Sequence, residues 1–395
     1  MMLDQIADIG ADPVRGGYSR HVFDATEMSL REWFTERAGR AGLEVETDRN
    51  GAIWAWWGEP GPDAVVTGSH LDSVPGGGAF DGPLGVACAL EAVESLRGKG
   101  FTPNKPLAVT VFPEEEGGRF GVACLGSRLL TGAIDPATAL ALRDRDGISF
   151  AEAASARGFD PDRFGRDDRL LSRIGRFVEL HVEQGRGLVD MGLPVGVASD
   201  ILAHGRWRFS LAGQGNHAGT TVIADRRDPM VPAAAAVLAA REVAAGHPGA
   251  RATVGRLNPV PGGANVIASS VEFWLDARVP STLDTREIVA EIEAATRSAA
   301  EREGCTLSVR EESYGDRVVF DPQLRDDLAG LLGGVPALET GAGHDAGILA
   351  SRVPAGMLFV RNPSGVSHAP EEFAEPEDCT AGTEALARVL EQLAG

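Results

Sequence analysis

At 395 residues the chain exceeds what one ordinary hydrophobic core holds, so two or more domains are expected. Its 43% hydrophobic and 24% charged residues give a globular rather than a disordered composition. A formal charge of -20 argues against nucleic acid and anionic membrane surfaces as partners, and leaves any anionic substrate to be met by local arginine or metal charge.

Met1-Met2-Leu3-Asp4-Gln5 has neither the basic stretch nor the apolar core of a secretory signal. The first strand-like run, residues 64–69, leads into His70-Leu71-Asp72. Gly76-Gly77-Gly78-Ala79-Phe80-Asp81-Gly82 follows, and then a helix is expected over residues 84–97, with Pro83 in its first turn and Gly98 as its stop. Residues 107–112 form a second apolar run that ends in Glu114-Glu115-Glu116, and the spacing predicts a helix over 120–130, ending near Gly132. Residues 132–175 are polar, rich in Asp and Arg and weakly helical, and read as a surface excursion. Residues 177–180 deliver His181.

From about His204 the pattern changes. Strands are expected at 206–212, 252–257, 271–278 and 306–311, with helices at 227–245 and 283–303; that βαββαβ order belongs to a ferredoxin-like two-layer sandwich. The most apolar helical stretch, residues 231–240, is mostly alanine and too short to span a bilayer. After Asp316 the α/β alternation resumes, and residues 357–360 lead through a Pro/Gly loop to His368. An α/β fold is therefore expected, in which a mixed sheet flanked by helices (residues 1–203 and 317–395) is interrupted by an inserted domain (204–316). Cys88, Cys124, Cys305 and Cys379 form no Cys-x-x-Cys pair, which fits buried thiols in a reducing, cytoplasmic compartment.

In open α/β sheets, ligands gather beyond the carboxyl ends of the strands. Four such strands side by side would bring His70, the glutamate triplet, His181 and His368 into one crevice, with Asp81 as a further ligand candidate. Imidazole and carboxylate suit Zn, Mn, Co or Ni. A carboxylate such as Asp81 can bridge two such ions. Asp72 is placed to take the ring N–H of His70. Of adjacent glutamates, one can bind metal while its neighbour removes a proton from water. Singly, each feature has a bland reading: a lone buried histidine is usually a core residue, a Glu run a solvated face, and a Gly run a turn. Jointly they point to a metal-dependent hydrolase. His-Glu-x-x-His and Gly-x-Ser-x-Gly are absent, and His181-Val182-Glu183 lacks the Cys-x-x-Cys half of a zinc-deaminase signature.

Several segments resemble one family. They are Gly68-Ser69-His70-Leu71-Asp72-Ser73-Val74, Phe80-Asp81-Gly82, Glu114-Glu115-Glu116-Gly117 and Glu179-Leu180-His181-Val182-Glu183-Gln184-Gly185. Further along come Asn216-His217-Ala218-Gly219-Thr220-Thr221, Gly341-Ala342-Gly343-His344-Asp345-Ala346 and Arg361-Asn362-Pro363-Ser364-Gly365-Val366-Ser367-His368. In this order they resemble the allantoate amidohydrolase / N-carbamoyl-L-amino-acid hydrolase group of the dinuclear zinc aminoacylase and exopeptidase superfamily, and most closely its allantoate amidohydrolases.

The resemblance implies two divalent metal ions, one on His70, Asp81 and His181 and the other on Asp81, Glu116 and His368, with Glu115 as general base. It implies substrate contacts from Gln184, His217, Asn265 and Arg278, the last by a bidentate fork on a carboxylate. It also implies a homodimer joined through the inserted domain, with His217 serving the partner's site. Two of these residues have a plain alternative: Arg278 paired with a nearby acid on an edge strand, His217 capping a turn. His344, in its Gly loop, is a pocket-lining residue or a structural one. His21, His204 and His247 carry no motif and are read as surface or hinge residues.

His181 stands where related peptidases carry an acid. The neutral imidazole leaves the site one unit more positive, which suits a small anionic ureido acid and argues against an exopeptidase. Gly118 and Val222 depart from the family's frequent Ser and Pro, which bears on substrate identity rather than on chemistry. The expected reaction is hydrolysis of a ureido or carbamoyl C–N bond, with allantoate first, an N-carbamoyl-L-amino acid second, and N-formyl or other N-acyl amino acids after them. A non-catalytic binding protein on this fold is the reading that the intact Glu115 and ligand set oppose.

Overall fold

The computed structural model describes residues 1–280 and 282–395. It divides into two compact units, Met1–Ile201 with Val319–Gly395, and Leu202–Val318. The first unit is built on a mixed, nine-stranded sheet, seven of whose strands run in the order Glu44–Thr47, Ile53–Trp57, Leu107–Phe112, Val65–His70, Arg176–Val182, Ala355–Val360 and Val195–Ile201. The middle four of these pair in parallel. They are the four strands whose ends carry the candidate ligands. Each is buried along almost its whole length, and their sequences, such as Leu-Ala-Val-Thr-Val-Phe, are apolar on both faces, as a parallel sheet covered by helices requires. The flanking pairs are antiparallel.

The helix Pro83–Gly98 starts where expected, because Pro83 has no N–H to leave unpaired in the first turn. It buries Leu84, Val86, Leu90, Val93 and Leu96 in the main core, packed against the last helix, Pro376–Ala394. The helix expected from 120 begins only at Leu125 and ends at Thr131, with Gly132 in the left-handed conformation. Its first turn is lost because Glu114 Oε1 accepts the amides of Arg119 and Phe120, which ties that segment to the strand end instead. Residues 132–175 are more than a surface excursion. Their short helices Pro136–Leu140 and Phe150–Ser155 carry Ala139 and Phe150 into a satellite core with Val22, Phe23, Phe120 and Leu129.

The second unit has a four-stranded antiparallel sheet in the order Thr306–Gly315, Ala203–Ala212, Ser270–Val279, Arg251–Val260. The helices Met230–Gly246 and Thr285–Arg302 pack together and against it. This is the βαββαβ sandwich. Ser270–Val279 alternates buried and half-buried residues, so only one face of this sheet is covered. The first helix starts three residues later than expected, at Met230, whose amide is taken by Asp228. Among the described residues no helix is long and apolar enough to cross a membrane.

The central parallel strands approach closely at Gly68, which has φ +150°, and a Cβ there would overlap the Thr110 carbonyl of the neighbouring strand. Gly68→Ala is expected to cost more than about 3 kcal/mol or to prevent folding. Gly98→Ala meets open space at a helix end and is expected to be neutral or stabilising by up to about 1 kcal/mol. Denaturant titration of the pair checks this; near-wild-type stability of Gly68→Ala would contradict it.

Candidate metal centre

The backbone alone brings the expected ligands together. His70 is the last residue of Val65–His70, and His181 lies one residue before the end of Arg176–Val182. The glutamate triplet leaves Leu107–Phe112 on the same side, and Asp81 sits at the foot of the helix Pro83–Gly98. Two groups of potential ligand atoms, His70, Asp81, His181 and Asp81, Glu116, His368, each lie within 4.8 Å of one another. Asp81 divides its oxygens between them. Oδ1 is 3.4 Å from His70 Nε2 and 3.2 Å from His181 Nε2, while Oδ2 is 3.5 Å from His368 Nε2. Glu116 Oε2 is 3.2 Å from the same His368 nitrogen.

Each imidazole is oriented by a backbone carbonyl. His70 Nδ1 donates to the carbonyl oxygen of Asp72 at 2.9 Å, and His181 Nδ1 to that of Val182 at 2.9 Å, which leaves both Nε2 atoms facing Asp81. This corrects the expectation for Asp72. Its carboxylate is 3.7 Å from the His70 ring and instead accepts the amides of Glu115 and Glu116, each at 3.1 Å. The Asp72 side chain thus aims the glutamates, and its carbonyl aims the histidine. Asp81 is held by Glu372, whose Oε1 accepts the amides of Phe80 and Asp81, and by Gln184 and Ser367, which donate to Oδ2 at 2.8 and 3.2 Å. Gly78 leaves room for Glu372, and Gly82, at φ +82°, for the His70 ring; a Cβ at either would overlap them.

The charges are badly unbalanced without cations. Asp72, Asp81, Glu115, Glu179, Asp345 and Glu372 are buried, and among the described residues the only ion-pair partners of Asp72, Asp81, Glu115 and Glu116 are imidazoles. Burial works against the charged form of Asp81, but His181 and His70 outweigh it and hold the carboxyl well below its usual range. Burial pushes Glu115 well above its usual range, with Asp345 and Glu116 adding to it against His70. Burial alone would lower His70, yet Glu115 and Asp81 raise it well above normal. Among the described residues His70 Nε2 is buried without a hydrogen-bond partner. An orphaned ring nitrogen, a carboxylate facing two nitrogen sets and an excess of buried anions together fit divalent cations.

Of the expected substrate residues, Gln184 lies at this centre through its bond to Asp81, with its Oε1 unpartnered. His344 is buried, its ring 4.5 Å from that of His181 and, among the described residues, both nitrogens without a hydrogen-bond partner. His217, Asn265 and Arg278 belong to the second unit. There His217 and Asn265 are neighbours: Ala218 donates to the Asn265 carbonyl, and Val266 registers opposite His217. His217 is exposed and its Nδ1 accepts the Gly219 amide, a turn-capping contact. Arg278 forks onto Asp276 at 2.9 and 3.3 Å, on a strand paired on both sides rather than at an edge. His204 contacts the Leu202 carbonyl and His247 pairs with Glu291, whereas His21 is half-buried beside Gly118 with its Nδ1 unpartnered.

Sequence reasoning missed Glu372, Ser367, Glu179 and Cys124. Glu179 accepts Ser69 Oγ at 2.7 Å and the Ala346 amide at 2.9 Å beneath the site. Its signal was available, since a charged residue inside an otherwise apolar strand must be satisfied. Nothing in the sequence marks Cys124.

The profile described as Peptidase family M20/M25/M40 matches residues 66–392. An N-carbamoyl-L-amino acid amidohydrolase of Geobacillus stearothermophilus is 38% identical, over 99% of this chain and 97% of its own length. An allantoate amidohydrolase of Bacillus subtilis (strain 168) is 32% identical, over 99% of this chain and 96% of its own. The crystal structure of AtUAH in complex with (S)-hydroxyglycine matches with a TM-score of 0.86 at 30% identity, covering 99% of this chain and 96% of that one.

The crowding of carboxylates makes metal-free protein pH-sensitive. Burial, the largest cause in each case, raises Glu372 to about 7 and Glu114 to about 8. Such groups hold their protons more tightly folded than unfolded. Their contribution is complete below the unfolded pKa and is lost as pH rises through the folded one. His368, raised to about 9 chiefly by its hydrogen bond to Glu116, has the same sign. The melting temperature of chelated protein is therefore expected to fall between about pH 5 and pH 9. Glu372→Gln is expected to flatten the lower part of that slope. Equal stability at both ends of the range would contradict this.

Proposed function

The chain belongs to peptidase family M20/M25/M40 and is an amidohydrolase acting on C–N bonds; we propose that it cleaves the carbamoyl or ureido C–N bond of a small carboxylic acid, with two divalent cations held at the centre built around Asp81. The observation that carries the reading is the division of Asp81 between two sets of ligand atoms, Oδ1 toward His70 and His181 and Oδ2 toward His368. His70, Asp81 and His181 would hold one ion, and Asp81, Glu116 and His368 the other. Ions so held supply Lewis acidity toward a carbonyl and lower the pKa of water.

The protein's own groups do the rest. Glu115 is buried, and its Oε2 lies 3.6 Å from His70 Nε2, on the side of the ligand atoms. From there its carboxylate is placed to take a proton from the attacking water and return it to the leaving nitrogen. Asp72 fixes the backbone of Glu115 and Glu116, so base and ligand keep their separate directions.

A ureido group and a carboxylate are common to N-carbamoyl-L-amino acids and allantoate. The relative at 38% identity favours the N-carbamoyl-L-amino acid over allantoate, the reverse of the order expected from sequence. Gln184, His344, His217, Asn265 and Arg278 are the proposed substrate contacts. Two copies joined through the 202–318 unit form the working enzyme, His217 of each serving the other's centre.

Chelated protein is expected to be inactive on N-carbamoyl-L-amino acids, allantoate and N-formyl amino acids, and to regain ureido hydrolysis with Zn, Mn, Co or Ni. Glu115→Gln is expected to keep the metal content but lose roughly two to four orders of magnitude in kcat, whereas Glu116→Gln loses metal. Full turnover without metal, or by Glu115→Gln, would sink the mechanism.

Mixing His217→Ala with Glu115→Gln protein tests the shared site. After random subunit exchange about half the dimers are mixed and each holds one intact site, so roughly a quarter of wild-type activity should return. No recovery despite proven exchange would place His217 in its own chain's site or outside the chemistry.

A further inference from the structure

The segment after the glutamate triplet turns back and latches onto it. Cys124 N donates to the Glu115 carbonyl at 2.6 Å, Leu125 N to Glu114 at 3.0 Å, and Gly126 N to Pro113 at 3.1 Å. Both Glu114 and Cys124 adopt left-handed backbone, at φ 54° and 55°, a conformation that glycine or asparagine takes more easily. A cysteine at such a position gives up backbone preference, and its side chain shows what is gained. Sγ lies 3.4 Å from Glu115 Oε1, and no other hydrogen-bond donor reaches that carboxylate among the described residues. Cys124 is 2% exposed, and burial together with Glu115 and Asp345 keeps its thiol protonated, hence a donor. Ser127 braces the turn from below, bonding both the Cys124 carbonyl and Asp345.

We propose that Cys124 is a positioning residue, whose thiol holds Glu115 Oε1 so that Oε2 stays turned toward the Asp81 ligand atoms. A thiol is a weak donor, so it sets the orientation of the carboxylate while drawing little on its capacity to accept a proton. The inference rests on Glu115 as the proton carrier. Without the contact, a carboxylate bonded by a single neighbour would be free to rotate about its last torsion, and misorientation of a reacting group costs rate rather than affinity.

The test uses Cys124→Ala and Cys124→Ser in the metal-loaded full chain. Cys124→Ala is expected to lower kcat by roughly ten- to a hundredfold, with KM, metal content and melting temperature close to wild type. Cys124→Ser restores a donor and should recover most of that loss. A second readout does not depend on turnover. The S–H stretching band assigned to Cys124 by its absence in Cys124→Ser should shift when Glu115 is replaced by Gln, because the acceptor loses its charge. If no ureido substrate is turned over, the proposed reaction fails while the band still reports the contact. A wild-type kcat in Cys124→Ala, equal losses in both variants, or a band indifferent to Glu115→Gln would overturn the proposal.

Discussion

The structure turns on a concentration of negative charge at the carboxyl ends of four parallel strands. Asp72, Asp81, Glu115 and Glu116 converge there with, among the described residues, only imidazoles as ion-pair partners. In a medium of low polarity such a cluster is unfavourable unless cations enter or protons stay on. The raised proton affinities of Glu114, Glu115 and Glu372 and the three raised imidazoles are the two sides of that imbalance. Divalent ions held there would offset it, with Glu115 among these groups as the proposed proton carrier.

Holding such groups in place takes backbone rather than side-chain volume. Gly78 and Gly82 leave room for Glu372 and the His70 ring. Glu114, Cys124 and His368 accept left-handed conformations at the bends that carry the strand ends into the centre. Carbonyl oxygens of Asp72 and Val182 fix the ring orientations, and amides of Glu115, Glu116, Phe80 and Asp81 are absorbed by carboxylates that are themselves buried. The centre is an arrangement in which nearly every acid is fastened by N–H groups, so its geometry is set before any ligand arrives.

The second unit follows a different logic. Its core is a plain two-layer packing of Phe209, Phe273, Leu275, Ile288 and Ile292, and its open sheet face carries charge pairs such as Arg208 with Glu272 and Arg278 with Asp276. The Arg278 fork uses its Nε and Nη2 on the two Asp276 oxygens, two strand positions away on the same face.

Local chemistry in the sequence determined the elements and the ligand types. Apolar runs ending in His70, the glutamate triplet and His181, Pro83 at a helix start, and the βαββαβ alternation of the second unit are short-range patterns, and they reappear in the structure. Long-range pairing lay beyond them. That the four strands lie side by side, that Asp81 turns one oxygen to each ligand set, and that Glu372 holds Asp81 from the far end of the chain are properties of packing. The misread points have the same origin. The helix expected from 120 loses its first turn because Glu114 competes for its amides, and Asp72 turns to the glutamates because their amides lie across the neighbouring strand end. Cys124 carries no motif; only the return of the chain onto Glu115 sets its thiol against that carboxylate.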